Sequence, residues 1–310
     1  MLPACVHSFG QKGFWPSLHT FSSLSYAAVL MVLALVFLHP LYLAALTLGT
    51  FLAVWSAGGL KTWGIYLRFA FPLALLLVAV NLLANRSGET VIWLSPPLPV
   101  AGRLAFTLEA LCYGAAMAVR LVCVTGVFCL YSSSVHPDRL LGFFSGLAWR
   151  SALTTALAAR LYPAMVSSLY SIREALQTRG VNFDGGSAVE RAKNYSFVLR
   201  ALLFCSLEDS LQLAEAMQAR AFGSGRRSSY RREEMRPRDW LVLAGCALSG
   251  TAALAGFFTG WGSFSYYPRL DSISLGGPEA LQLALVSAGV VLPAAAGWGW
   301  NKWEFLRSKI

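Results

Sequence analysis

Two arginines carry the most specific pattern in the chain. Glu174-Ala175-Leu176-Gln177-Thr178-Arg179 returns 41 residues later as Glu215-Ala216-Met217-Gln218-Ala219-Arg220, each copy closing an amphipathic helical pattern with a glycine shortly beyond. An arginine in the last turn of a helix lies at the negative end of the helix dipole, and its guanidinium projects past the helix as a planar tip with five donors. Such a tip recognises carboxylates or carbonyls in a groove; it makes and breaks no bonds. A single copy would read as a solvated arginine at a membrane face, a frequent arrangement. Repetition of the whole pattern, Ala and Gln included, points to two similar receptors, because surface charge alone does not require those neighbours.

The other polar side chains are not spaced for catalysis. His7, His19, His39 and His136 are scattered, and there is no H-E-x-x-H, G-x-S-x-G or Walker A lysine loop. The cysteines form no C-x-x-C pair and most lie in apolar runs, where free Cys behaves as a small hydrophobe. No catalytic residue, cofactor or metal is expected. Glu109 and Arg120 stand eleven residues apart, about three helical turns, and so share one face of an apolar run. Ionisable groups at membrane depth are costly and face protein or a cavity. Arg120 therefore reads either as a gate or partner contact, or as a packing clamp on Glu109 or on freed backbone carbonyls.

Composition sets the medium in which these residues work. Of 310 residues, 56% are hydrophobic and 13% charged, whereas a soluble domain has roughly a quarter charged. The chain reads as an all-α integral membrane protein. Its formal charge of +10 could suggest nucleic acid, but apolarity this high points instead to a positive face against anionic lipid and acidic partner surfaces.

Apolar runs are expected at 26–38 and 41–57, both short for a crossing and separated by His39-Pro40, then at 65–84 with Pro72 inside and at 104–130. From 136 the pattern becomes one-sided. A short amphipathic piece at 138–144 precedes longer helices at 151–178, with a bend expected at Pro163, and at 187–221. Two further spans are expected at 240–258 and 281–296, followed by Trp298, Trp300 and Trp303 as an interfacial belt. This gives about six transmembrane helices and three regions: residues 1–135, a module of amphipathic helices at 136–238, and 239–310. Residues 173–238 hold 12 of the 25 basic side chains, which places the module in the cytoplasm by the positive-inside rule. The N- and C-termini, the latter with Lys302, Arg307 and Lys309, fall on the same side of a multi-pass cell-membrane protein, and the loop at 85–103, with Trp93 and Pro96-Pro97, falls outside.

At these residues the chain resembles the transmembrane coupling (T) component of energy-coupling factor importers, the EcfT/CbiQ family, whose hallmark is a pair of Ala-Arg-Gly-like triplets ending two cytoplasmic helices. The triplets match Thr178-Arg179-Gly180 and Ala219-Arg220-Ala221. Similarity extends to Asn81-Leu-Leu-Ala-Asn85 with Gly88, to the segment from Thr107 and Glu109 through Tyr113-Gly114 to Arg120, and to Ala158-Ala-Arg160-Leu-Tyr-Pro163. The resemblance implies a scaffold for vitamin or metal-ion uptake with two ABC-type ATPase partners and a membrane substrate-binding (S) subunit. Each motif arginine would dock in one ATPase, supported by Glu174, Gln177, Glu215 and Gln218. The S subunit would rest on apolar helix faces, for which Leu199, Leu202, Leu203, Phe204, Leu207 and Leu211 offer a surface wider than one seam. Two departures stand out: Thr178 replaces the usual Ala, and Ala221 the usual Gly. The second helix is accordingly expected to run one or two residues further and to be capped at Gly223, with Arg220 the weaker site.

Other classes fit less well. An embedded enzyme lacks its motifs, a self-sufficient transporter would show inverted repeats or several intramembrane charges, and a plain membrane anchor differs from the coupling role only in motion.

Overall fold

The computed structural model describes residues 13–85, 90–94, 105–135, 137–144, 149–183, 185, 187–225, 234–271, 274 and 276–302. Pro96-Pro97, Gly88, His7, His136, Trp303, Arg307, Lys309 and the basic residues between 226 and 232 lie outside the described residues. Among the described residues the regular structure is helical apart from one short ribbon. In order, the helices are α1 (Thr20–Val36), α2 (Pro40–Ser56), α3 (Leu60–Ala84), α4 (Leu108–Ser134), α5 (Pro137–Phe144), α6 (Trp149–Thr178), α7 (Ala188–Ala219), α8 (Pro237–Thr259) and α9 (Gly277–Lys302), with strands β1 (Val91–Leu94) and β2 (Ala105–Thr107) paired antiparallel before α4.

Local signals account for the helix boundaries. His39 caps α2 through Nδ1, which accepts the Leu41 amide at 3.3 Å, and Pro40 occupies the first turn, where its missing N–H costs nothing. Thr107 caps α4, and Ser187 with Glu190 forms a full capping box on α7. The helices continue through Pro72, Pro163 and Pro293.

Two compact units result. One comprises Met1–Arg139 with Glu233–Ile310, the other Leu140–Arg232. In the first unit, α3, α4, α8 and α9 are long and apolar enough to cross a membrane, while α1 and α2 are apolar but shorter, at 17 residues each. These six helices alternate in direction. At one end the Trp15 indole donates to Ser56 Oγ at 2.8 Å, joining the start of α1 to the end of α2. At the other, the Tyr42 hydroxyl reaches the Glu279 carbonyl at 2.9 Å and the Tyr266 hydroxyl the Leu38 carbonyl at 2.8 Å, gathering the α1–α2 turn, the α8–α9 loop and the start of α9.

Helices already in lipid gain little from the hydrophobic effect when they associate, so close packing and hydrogen bonds must hold them. Small residues provide the close packing. A Cβ on Gly289 would sit 2.7 Å from the Gly245 carbonyl oxygen, and one on Gly49 would sit 2.5 Å from Val290 Cγ1. Around these contacts Leu30, Leu33, Tyr42, Leu46, Val242 and Val290 form the core. Hydrogen bonds tie it across the bundle: the Tyr26 hydroxyl donates to the Val290 carbonyl at 2.8 Å, and Gln282 Nε2 to the Ala252 carbonyl at 3.1 Å. α3 rests on α4, Trp63 beside Gly126 and Val78 beside Gly114, and leaves most of its other apolar side chains, among them Phe69, Phe71, Leu75 and Leu76, exposed.

In the second unit, α6 and α7 are joined by a short, well-anchored turn. Phe183 is its buried plug, with the Tyr195 ring 5.3 Å away and the Arg173 guanidinium 5.6 Å from its centroid. Asn194 Nδ2 donates to the Asn182 carbonyl at 2.8 Å. The end of α6 is thereby fixed beside the first turns of α7.

Candidate functional site

Each arginine of the repeated pattern occupies the residue that ends its helix. At the end of α6 the Gly180 amide donates to the Gln177 carbonyl at 3.0 Å and the Val181 amide to the Leu176 carbonyl at 3.1 Å, with Gly180 at φ 86°. At the end of α7 the Ala221 amide donates to the Gln218 carbonyl at 2.9 Å and the Phe222 amide to the Met217 carbonyl at 3.0 Å, with Ala221 at φ 53°. Both are complete Schellman closures, in which a left-handed residue just past the end lets two amides fold back on the last carbonyls. The expectation that α7 would run on and close at Gly223 is corrected: Ala221 itself takes the left-handed conformation, and the helix stops in register with the first copy.

Glu174, Gln177, Thr178, Arg179 and Gly180 are exposed, as are Glu215, Gln218, Ala219, Arg220 and Ala221. Thr178 turns its hydroxyl back to the Ala175 carbonyl at 2.8 Å, so it adds no donor to the outer surface. Among the described residues neither the Arg179 nor the Arg220 guanidinium has an intramolecular hydrogen-bond or ion-pair partner, the backbone amides alone being bonded, to the Leu176 and Ala216 carbonyls. Each guanidinium stands at a negative helix end with its donors available. Because the α6 end lies at the start of α7, the 32 residues of α7 separate the two tips; at 1.5 Å per residue that is roughly 48 Å. One small receptor cannot grip both.

The apolar face of α7 is equally open. Leu199, Leu203, Phe204, Leu207 and Leu211 are 55–74% exposed, and only Leu202 is half-buried. Positions 199, 203, 207 and 211 recur every fourth residue and form one stripe, with Phe204 beside it.

Glu109 and Arg120 share α4 but serve different neighbours. Glu109 is buried, and its Oε1 accepts the Thr90 amide at 3.1 Å and the Thr90 hydroxyl at 2.5 Å, joining the approach of the ribbon to the first turn of α4. Arg120 Nη2 donates to the Phe37 carbonyl at 2.8 Å, and Nη1 lies 3.5 Å from Met117 Sδ. The cation thus meets the carbonyl end of α1, where a helix presents its negative pole.

Sequence reasoning passed over three charged side chains. Arg139 Nη1 donates to the Pro16 carbonyl at 2.7 Å, Arg238 Nη2 donates to the Ser17 carbonyl, and Asp239 Oδ1 accepts the His19 amide at 2.7 Å. Their signal was Pro137-Asp138-Arg139 and Pro237-Arg238-Asp239: an acid and an arginine beside a helix-starting proline, once on each side of the module. Among the described residues no group of three or more His, Cys, Asp or Glu is placed to hold a metal ion.

Comparisons with known proteins agree with this architecture. The cobalt transport protein family (CbiQ) matches residues 14–230. The chain is 30% identical over 204 residues to the energy-coupling factor transporter transmembrane protein EcfT of Heliobacterium modesticaldum, covering 62% of this chain and 71% of that protein. It is 27% identical over 205 residues to EcfT of Bacillus selenitireducens, covering 63% and 74%. It is also 26% identical over 224 residues to a putative ABC transporter ATP-binding protein of Bifidobacterium longum, covering 68% of this chain and 28% of that protein. With a family match over well more than half its length and membrane-spanning helices to go with it, the chain belongs to the EcfT/CbiQ family of energy-coupling factor transporter transmembrane proteins.

Proposed function

We propose that this chain couples ATP hydrolysis by two cytoplasmic ABC-type ATPases to movement of a membrane substrate-binding subunit that takes up a vitamin or metal ion. Arg179 and Arg220 each dock in one ATPase, and the Leu199, Leu202, Leu203, Phe204, Leu207 and Leu211 face of α7 carries the substrate-binding subunit. The six apolar helices cross the cell membrane, with the module and both termini on the cytoplasmic side.

The observation that carries the reading is the identical closure of α6 and α7 on two exposed arginines whose guanidinium groups have no partner among the described residues, with α7, a helix roughly 48 Å long, between them in the chain. A pair of like receptors at that spacing suits two similar ATPases. The match to part of a protein named as ATP-binding supports the choice of partner. An arginine that loses a desolvated charged partner costs on the order of 2–5 kcal/mol, so each site should be separately detectable.

The test is co-purification with candidate ATPases of wild type, Arg179→Ala, Arg220→Ala and the double variant. Each single variant should lower transport-linked ATP hydrolysis, and the double variant should lose or uncouple the ATPases. Unchanged assembly and transport in the double variant would overturn the proposal.

A further inference from the structure

Residues 14–19, the short segment before α1, are built like a post. Phe14, Trp15 and Leu18 are all at most 3% exposed. Trp15 is wedged between Ser56, which accepts its indole N–H, and Tyr26, whose ring lies 5.3 Å away. Gly297 of α9 makes room for it, since a Cβ there would stand 3.1 Å from Trp15 Nε1. The segment is thus fixed to α1, α2 and α9 at once.

This post holds the chain on both sides of the module. The module begins at Leu140 and ends at Arg232. Arg139, immediately before it, donates to the carbonyl of Pro16, and Arg238, shortly after it, donates to the carbonyl of Ser17. The two acceptors are consecutive backbone carbonyls, so two points that lie almost a hundred residues apart in sequence are fastened side by side. Asp239 adds a third tie: its two carboxylate oxygens accept the His19 amide at 2.7 Å and the Arg236 amide at 2.8 Å. Arg238 is buried, with its guanidinium 5.4 Å from the Trp300 ring centroid.

We propose that Arg139 and Arg238, with Asp239, are positioning residues that pin both connections of the module to the residue 14–19 post, so that displacement of the module reaches the membrane body instead of being absorbed in slack linkers. A charged donor on a carbonyl forms a strong bond, and water competes poorly for one that is partly or fully buried. The inference rests on the coupling role proposed above, but its physical content, two pinned connections, stands separately.

The test uses the full chain in lipid nanodiscs with nitroxide labels on exposed Cys205 in α7 and on Lys61→Cys in α3, Cys5 and Cys112 being replaced by Ser. The distance distribution between the labels is read by pulsed electron resonance. Arg139→Gln with Arg238→Gln should at least double its width, Asp239→Asn should widen it less, and Arg139→Lys with Arg238→Lys should restore most of the wild-type width. Arg139→Gln alone, at the less buried site, gives a smaller widening and serves if the double variant does not fold. With co-purified ATPases, the widened variants should still hydrolyse ATP while the nucleotide-dependent shift in distance falls several-fold. Unchanged width in Arg139→Gln and in the double variant would overturn the proposal. Absence of any nucleotide-dependent shift in wild type would instead count against the coupling role, leaving the pinning to be judged by the widths.

Discussion

Ala221 takes the left-handed conformation that Gly180 takes 41 residues earlier, and each allows two amides to close the helix that precedes it. Only Gly adopts that conformation without steric cost; for Ala it amounts to about 1–2 kcal/mol. Nothing lies within 4 Å of where a Gly180 Cβ would be, so conformation alone sets the effect. Gly180→Ala should fray the end of α6 by about 1 kcal/mol, and Ala221→Gly should tighten the end of α7 by a similar amount. Amide hydrogen exchange of peptides covering 174–183 and 215–224 checks both signs.

Arg120 places a cation on the carbonyl end of α1. Replacing it by Leu leaves the Phe37 carbonyl without this donor, and hydrogen bonds to charged groups contribute about 1.5–3 kcal/mol. Arg120→Leu should lower thermal stability in detergent by that order, while Arg120→Lys should recover part of it.

α8 and α9 touch backbone to backbone at Gly245 and Gly289. A methyl group at Gly289 would press on the Gly245 carbonyl and on Ser249, neither of which can swing away as a flexible side chain would. Gly289→Ala should cost about 1–3 kcal/mol by overpacking, and Gly289→Leu should separate the pair. Thermal unfolding followed by tryptophan fluorescence reads both.

His39 gives the fold a dependence on pH. Its ring must be neutral at Nδ1 to accept the Leu41 amide, and burial lowers its pKa below the ordinary 6.5, with the Glu279 charge opposing. Tyr42 and Phe264 face the same ring. A histidine whose folded pKa lies below its unfolded value contributes stability that is complete above pH 6.5 and lost as pH falls through the folded value. Melting temperature measured from pH 8 down to pH 5 should fall on the acid side. His39→Asn, which caps α2 without titrating in this range, should flatten that dependence.

The stripe on α7 separates the two kinds of partner proposed for the module. Leu203→Glu with Leu207→Glu places two charges on the apolar face and leaves Arg179 and Arg220 untouched. The ATPases should still co-purify while the substrate-binding subunit is lost. Loss of the ATPases with retention of that subunit would contradict this assignment.

Much of the fold is legible in the sequence because lipid narrows the choices. A backbone without water must satisfy its own polar groups, so an apolar run of sufficient length is a helix, and 65–84, 240–258 and 281–296 all are, while the run expected from 104 is helical only from Leu108, Ala105–Thr107 pairing as β2 instead. The short runs at 26–38 and 41–57 are helices as well, separated where Pro40 required. Helix starts are less visible: α3 begins at Leu60, five residues before the expected Ile65, because Gly59, Lys61, Thr62 and Gly64 interrupt the apolar run by composition. At the end of α7, side-chain preference pointed past Ala221 to Gly223, but the fold-back bonds from Ala221 and Phe222 outweigh the modest strain of an alanine at positive φ. Of the ties to Pro16 and Ser17 the sequence shows only the donor side, the two arginines near helix-starting prolines, since their acceptors are backbone carbonyls that every residue carries.

α7 runs 32 residues without a proline, and this fixes more than a distance. Each residue of an α-helix advances the azimuth by about 100°, so the direction in which Arg220 points relative to Arg179 is set by an integer. Adding one residue within α7 would swing Arg220 by about 100° while lengthening the rod by only about 1.5 Å; adding seven would lengthen it by about 10 Å and return the arginine to within about 20° of its heading. The two insertions therefore distinguish a partner that reads bearing from one that reads reach.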